Sequence, residues 1–401
     1  MRLVHFADLH LGIRQYQRTN PNGLNQREAD VAQAFTRAID RTIALAPDLV
    51  LIAGDVFHTV RPTNQALLHA VRQFQRLVTA LPEAPVVMVA GNHDAPRSSE
   101  TVCILTLFAQ LGIHVVHKGA ERLSFPDREL SILAVPDVVG MVRPRLEPDP
   151  RARWNVLLLH GEVDGVIPMH AAPVDRATAG YTPAELAAGK WDYGALGHYH
   201  VYRQVVPGRP VYYSGSTEYT SPNIWGELRE ERDAKLPGKR IVEHNLATGK
   251  HTPHAIEAVR QVIDLPPVNA RGLSPESVDA AIRATVERSR AKIDDAIVRL
   301  VVDEIPRHVA RELDHAALRD YRKRALHFHL DARRPEPIRL TAISGAPGRR
   351  PSLAETLRDR LHARPLEADI DREALVALGL QYLREAEDVV APAAVGEEEG
   401  P

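Results

Sequence analysis

Short unbroken apolar runs recur along the first half of the chain, and polar side chains follow each of them at once. The runs are RLVHFA (2–7), DLVLIA (48–53), PVVMVA (85–90) and NVLLLH (155–160). Such runs are the mark of strands covered on both faces. Further strands are predicted at 113–116, 130–135, 193–197 and 210–213. Between the first two runs, Val31, Ala34, Phe35, Ala38, Ile39 and Ile43 recur at helical spacing. Between the second and third, Thr63 is placed to cap a helix carrying Leu67, Leu68, Val71, Phe74 and Val78. The alternation predicts an α/β fold with sheets inside and helices outside.

The texture changes around Pro266 and Pro267. Ser274 and Pro275 open a long helix through Arg290, followed by a strand (AIVRLVV, 296–302), a helix (313–325) and a strand (ALHFHL, 325–330). This reads as a compact second α/β module. The stretch RRPEPIRLTAISGAPGRRP (333–351) has the composition of a linker. Beyond it, Ser352 and Glu355 form a capping box before a helix striped with Leu353, Leu357 and Leu361. A second helix, near 371–385, carries Leu375, Leu378 and Tyr382 on one face. The expected organisation is therefore a large domain over 1–262, a small α/β domain over 263–334, a linker over 335–351, C-terminal helices over 352–390 and a disordered acidic tail over 391–401.

Composition adds exclusions. The 401 residues carry a net charge of −2, so nothing in the overall charge draws the chain to a polyanion. Binding of that kind would rest on a local patch or on bound cations. The excess of arginine over lysine suits bidentate phosphate or carboxylate contacts. With Cys103 alone there can be no intrachain disulfide. No charged n-region and apolar h-region open the chain, and no stretch approaches a membrane span of about 18 apolar residues. The expected location is the cytoplasm, in association with the nucleoid, and no membrane partner is expected.

The chemistry gathers where strands end. Asp8 and His10 follow the first strand, Gly54 and Asp55 the second, and Gly91, Asn92, His93 and Asp94 the third. His160 closes NVLLLH, and GALGHYH delivers His198 and His200. Ligand sites of open α/β sheets lie beyond the carboxyl ends of strands. Asp8 and His10, like His198 and His200, are two apart, so each pair points to one side in extended backbone. Glycines at 54, 91 and 197 permit sharp turns and close approach. Each signal alone has an ordinary explanation in turn chemistry or in a satisfied core histidine. Five strand ends bearing them together do not. Imidazole, carboxylate and amide oxygen without thiolate suit manganese or magnesium better than structural zinc.

With these residues the chain resembles the calcineurin-like metallophosphoesterases, whose ordered blocks are D-x-H, G-D, G-N-H-D, H and G-H-x-H. Within them it is similar to the SbcD-type DNA-repair exonucleases, through FADLHLGIRQY (6–16), GDVFHTVRPTN (54–64) and YSGSTEYTS (213–221). The resemblance implies a four-layer β-sandwich flanked by helices, with a small α/β capping domain and C-terminal helices. It also implies two divalent ions, manganese before magnesium, roughly 3.5–4 Å apart. Asp8, His10, Asp55 and His200 would hold one, and Asp55, Asn92, His160 and His198 the other.

His93 would then stabilise or protonate the leaving 3′ alkoxide, a role worth typically 10²–10⁴-fold. Asp94 would be an orienting or capping group. His58 resembles a histidine placed near DNA for exonucleolytic work. Arg14, Arg18, Arg61 and Arg97 lie in loops near the inferred site and are candidates for phosphate contacts. The implied function is 3′–5′ exonuclease and endonuclease cleavage at double-strand ends and hairpins. It would be carried out by a homodimer with an SMC-like SbcC ATPase in a heterotetramer, the ATPase docking on the C-terminal helices.

Two other classes stay open. One is a phosphoesterase for a small diester, against which the second domain and tail helices count. The other is a non-catalytic scaffold, which would be expected to have lost metal positions. A protein phosphatase fits poorly, because Gly54 and Asp55 continue as GDVFHTV rather than with D-R-G.

Overall fold

The structure is a computed structural model, and it describes residues 1–96, 102–167, 177, 180–289, 293–335, 352–364 and 371–390. Arg97, nearly all of the expected linker and the acidic tail lie outside the described residues.

The first sheet is built from β1 (Arg2–Phe6), β2 (Leu49–Ile52), β3 (Val86–Val89) and β4 (His114–Val116), linked by α1 (Gln26–Leu45) and α2 (Asn64–Ala80). The second holds β5 (Glu121–Phe125), β6 (Leu130–Val135) and β7 (Trp154–His160). After the short pair β8 (Glu162–Val163) and β9 (Gly180–Tyr181) and the short helix α3 (Pro183–Ala188), β10 (Tyr193–Gly197), β11 (Arg203–Gln204) and β12 (Val211–Tyr213) complete it. Helix α4 (Ile224–Asp233) then leads to β13 (Arg240–Asn245) and β14 (His251–Ala255), which return to the first sheet. The orders are β14-β13-β1-β2-β3-β4 and β11-β12-β10-β7-β6-β5. Both are parallel in the middle and antiparallel at an edge.

Strand alternation shares each strand between two cores. In β2, Leu49 and Leu51 face the second sheet, while Val50 and Ile52 pack under α1 and α2. In β3, Val87 and Val89 go inward and Val86 and Met88 outward. That is why the runs look uniformly apolar: both faces of the pleat are dry. Beyond the second sheet, Leu133, Leu157 and Leu196 meet a further layer that includes Tyr181, Leu186 and Trp191. The architecture is the mixed α/β sandwich that the pattern predicts.

Asn25 caps α1 by accepting from the amides of Arg27 and Glu28, and Thr63 caps α2 through Ala66 N. One position departs from expectation. Leu68 is 55% exposed, because the buried stripe of α2 runs through Ala66, Ala70, Phe74 and Leu77 and Leu68 lies off it. His5 is another surprise, an imidazole inside the sandwich with Nδ1 3.1 Å from the Tyr193 hydroxyl. Tyr193 stacks on His244, and His244 Nδ1 lies 3.3 Å from His251 Nδ1.

Residues beyond β14 form a parallel sheet of their own. Its strands are β15 (Val262–Asp264), β16 (Val268–Asn269), β17 (Ile297–Asp303) and β18 (His327–Ala332), with β17 central. Helices α5 (Pro275–Arg288), α6 (Arg307–Arg311) and α7 (His315–Arg324) cover it. Val262 already belongs to this sheet, and α5 ends at Arg288 rather than Arg290. The sheet is tied to the sandwich by Arg260, which pairs with Asp30 and bonds the Asp295 carbonyl. Arg18 joins it to Asp295 and the Lys323 carbonyl. Residues 1–335 make one compact unit.

In the C-terminal unit, α8 (Leu353–Ala363) begins with the Ser352–Glu355 capping box, and α9 (Arg372–Val390) runs beyond the expected 385. The two helices pack on each other: Leu357 and Leu361 of α8 lie over Gly379 of α9. Leu353, Leu378 and Tyr382 are exposed. No helix among the described residues is long and apolar enough to cross a membrane.

Candidate metal centre

Parallel strands of both sheets end at one edge of the sandwich, and the loops that leave them interlock. Asp8 N donates to the Gly54 carbonyl, and His10 N to that of Asp55, each at 3.0 Å. These bonds hold Asp8, His10 and Asp55 at φ 55°, 46° and 51°, in the left-handed region, while His198 has φ 105°. Strained backbone of this kind costs of order 1–3 kcal/mol per residue and persists where the surroundings over-determine it. Gly91 is required by space, since a Cβ there would overlap the carboxylate and backbone of Asp55.

The side chains converge from both sheets. Asp8, His10 and His200 bring ligand atoms together in one group, and Asp55, His160 and His198 in another. His10 Nε2 and His200 Nε2 are 3.1 Å apart. Asp55 Oδ2 lies between the groups, 3.8 Å from His10 Nε2 and 3.4 Å from His160 Nε2. Asn92 Oδ1 is 3.2 Å from His160 Nε2 and 3.3 Å from His198 Nδ1. Asp8 accepts from the His198 backbone at 3.0 and 3.1 Å. All seven positions expected as metal ligands therefore border one site.

His58 and His93 flank it. With His10 they form a third cluster, and His58 Nδ1 stands 3.3 Å from His10 Nδ1. His93 Nδ1–H donates to the His58 carbonyl at 2.8 Å, and His93 N donates to Asp55 Oδ1 at 3.0 Å. The candidate arginines are scattered. Arg14 pairs with Glu28, Arg18 is bonded to the small sheet, and Arg61 is exposed.

Charges in the site show a field that calls for cations. Burial alone would lift the Asp55 carboxyl. His160, through charge and hydrogen bond, then His10 and His93, hold it well below the usual carboxylate range. Burial would lower His160, yet Asp55, Asp8 and Asp137 push it up to about 10. Burial raises Asp8 to about 6, with His200 and His160 opposing. Burial also drives His10 well below the ordinary imidazole value and His198 down to about 3.

The donors fit such ions. His198 Nε2 is buried without a hydrogen bond. His160 Nδ1 is bonded to the Ala53 carbonyl at 2.7 Å, which leaves Nε2 as the coordinating nitrogen. Carboxylate, amide-oxygen and imidazole donors together fit divalent metal ions.

Three further residues support the site; Asp94 was expected as an orienting or capping group, and Asp137 and Lys239 were not expected. Asp94, fully buried, accepts from Gly91 N and Val56 N at 3.1 Å and from Phe57 N at 2.9 Å. It clamps the turn holding Asn92 to the loop holding Asp55; burial and the Asp55 charge push its carboxyl up to about 7. Asp137, reached from β6 through Pro136, sits 1% exposed with its amide on the Ala90 carbonyl. A carboxylate directly after a strand end was its available signal. Behind His200, Lys239 bonds Glu227, Glu231 and the His200 carbonyl. Glu227 and Glu231 are like charges one helical turn apart, an arrangement that needs a shared cation.

Comparison with known proteins agrees with this geometry. The family model for calcineurin-like phosphoesterases matches residues 1–202. The chain is 29% identical over 262 residues to the DNA double-strand break repair protein Mre11 of Methanopyrus kandleri, covering 61% of this chain and 54% of that protein. It is 28% identical over 251 residues to the protein of the same name from Sulfurisphaera tokodaii, covering 59% of each. With the Sulfolobus acidocaldarius protein of that name the identity is 30% over 176 residues, 43% of this chain and 44% of that one. The chain thus spans about half of the length of the curated relatives it matches. Strand-end ligands, sandwich and the matched half of the sequence lead to one conclusion: the chain belongs to the calcineurin-like phosphoesterase family.

Proposed function

We propose that this protein is a manganese-dependent nuclease of the SbcD type, which hydrolyses phosphodiesters at double-strand DNA ends and hairpins. The observation that carries the reading is the pair of ligand groups on either side of Asp55, with His93 at their rim. Relatives named for double-strand break repair support DNA as the substrate.

Asp8, His10, Asp55 and His200 would hold one ion, and Asp55, Asn92, His160 and His198 the other. Bound there, two ions supply charge neutralisation for the phosphodiester and an activated water. The protein's own residues do the rest. Asp94 fixes the distance between the Asn92 turn and the Asp55 loop. The bond from His93 Nδ1–H to the His58 carbonyl fixes the ring, so that Nε2, once it has taken up a proton to give the imidazolium, is the nitrogen able to pass it to a leaving oxygen. His58 completes the imidazole cluster with His10 and His93.

The exposed Leu353, Leu378 and Tyr382 suit helix-in-groove docking of an SMC-like ATPase. Exposed Leu68 on α2 suits a homodimer contact. The test compares degradation of linear duplex DNA with hydrolysis of a small chromogenic diester, each with and without manganese. Cleavage of DNA that needs manganese is expected. Activity on the small diester alone would favour the small-substrate phosphoesterase, and activity on neither would favour a scaffold.

A further inference from the structure

Two stretches that carry the family resemblance, FADLHLGIRQY and YSGSTEYTS, continue past the candidate ligands and end at one cleft. Gln15 and Tyr16 line it from the first and Ser221 from the second. Trp225 of α4 and His327 and His329 of β18 complete it. Its volume is about 340 Å³, at the small end of ligand pockets, which run roughly 300–1,000 Å³. That is room for one nucleotide and far too little for a duplex.

The walls are flat rings held in place. Tyr16 stacks on His327, with centroids 4.1 Å apart and planes 15° from parallel. His329 lies nearly parallel to His327, at 6.2 Å. Trp225 is backed by the Arg299 guanidinium, 4.9 Å from its ring centre, and Arg299 is itself paired with Asp264. Tyr16 has φ 59°, an outlier for a bulky side chain. Asn25 Nδ2 donates to the Tyr16 carbonyl at 2.8 Å and helps to hold it there. Strained residues of this kind gather at ligand clamps. Burial, then His329 and Arg322, lower the His327 pKa.

The cleft adjoins the metal centre. The hydroxyl of Thr220, the residue before Ser221, is 3.4 Å from His200 Nδ1. Ser221 donates to Glu227, and Glu227 stands 3.7 Å from the same nitrogen.

We propose that this cleft takes one unpaired nucleobase of the strand being cut, which extends the existing Tyr16–His327 stack and lies beside Trp225. The inference rests on the nuclease reading and adds to it the state of the substrate: the terminal base is unstacked from its duplex before cleavage. Stacking accepts any base, so the site orders a strand without reading its sequence.

The test uses the full chain carrying His93→Leu, expected to cut about 10²–10⁴-fold more slowly, with calcium in place of manganese, and a duplex whose unpaired terminal base is 2-aminopurine. Binding should quench the 2-aminopurine fluorescence. Tyr16→Ala should relieve the quenching and weaken binding of this duplex roughly 10-fold, a typical worth of one base–aromatic stack. Tyr16→Phe, which keeps the ring, should restore both. Bound DNA with unquenched 2-aminopurine, or equal quenching in Tyr16→Ala, would overturn the inference while leaving the nuclease reading intact. Failure of the native protein to cut any DNA would overturn both.

Discussion

The Nε2 atoms of His10 and His200 stand 3.1 Å apart, although 190 residues separate them in the chain. Their other nitrogens are engaged elsewhere, His10 Nδ1 with His58 and His200 Nδ1 with Thr220 and Glu227. Two imidazoles aimed at each other beside Asp8 and Asp55 are arranged around a cation. Manganese should therefore stabilise the fold. At a hundredfold excess over its Kd the gain is about 2.7 kcal/mol, which raises Tm by roughly 4 °C in a unit of this size. Thermal scans with manganese and with EDTA measure this. Asp55→Ala should abolish the difference, and a native protein indifferent to manganese would contradict the ligand assignment.

His93 borders the ligand groups without belonging to either. Its replacement by leucine should leave metal content unchanged and lower DNA cleavage by about 10²–10⁴-fold. Metal analysis alongside single-turnover cleavage tests the pair of expectations. Loss of metal in His93→Leu would show that the ring is a ligand instead.

Asp94 tests whether the site is held from behind. In Asp94→Ala, three buried amides, those of Val56, Phe57 and Gly91, lose their acceptor. Each unsatisfied donor costs about 1–3 kcal/mol, so a loss of at least about 3 kcal/mol is expected in denaturant unfolding. Asp94→Asn keeps one carbonyl oxygen and should fall between. A neutral Asp94→Ala would refute the clamp.

The imidazoles around Tyr193, inside the sandwich, predict acid sensitivity. Burial, with His251 adding to it, lowers His5 to about 3; burial lowers His244 to about 4, and burial with His244 lowers His251 to about 4. These values lie below the unfolded value near 6.5, so the fold prefers the neutral rings. Their contribution is complete above about pH 6.5 and is lost as pH falls towards 4. Urea midpoints measured in EDTA across that window should drop more steeply for the native chain than for a His244→Phe, His251→Phe double variant. Parallel pH profiles would rule out these groups as the source.

The C-terminal helices predict a separable function. A chain ending at Pro335 retains the whole first unit and should keep basal DNA cleavage. It should no longer bind an SMC-like ATPase. In the full chain, Leu378→Glu and Tyr382→Glu, both at exposed positions, should weaken that binding at least about 10-fold through a charge placed in an apolar contact. Undiminished complex formation in a pull-down with the purified ATPase would rule out this docking face.

The sequence by itself determined the strands, the layering and most of the site's residue types. Periodicity reports local burial directly, so β2 and β3 could be read from DLVLIA and PVVMVA. Polar residues at the ends of such runs had few other reasons to be there, which made Asp8, Asp55, Asn92 and His160 legible. Tertiary structure alone decided what depends on register between distant strands. The face taken by Leu68, the His5–Tyr193 contact, the Asp94 clamp and the Lys239 bridge behind His200 each join segments whose proximity no local pattern encodes. So does the meeting of Tyr16 with His327. Patterns along a chain record which residues leave water; only packing fixes which of them face one another.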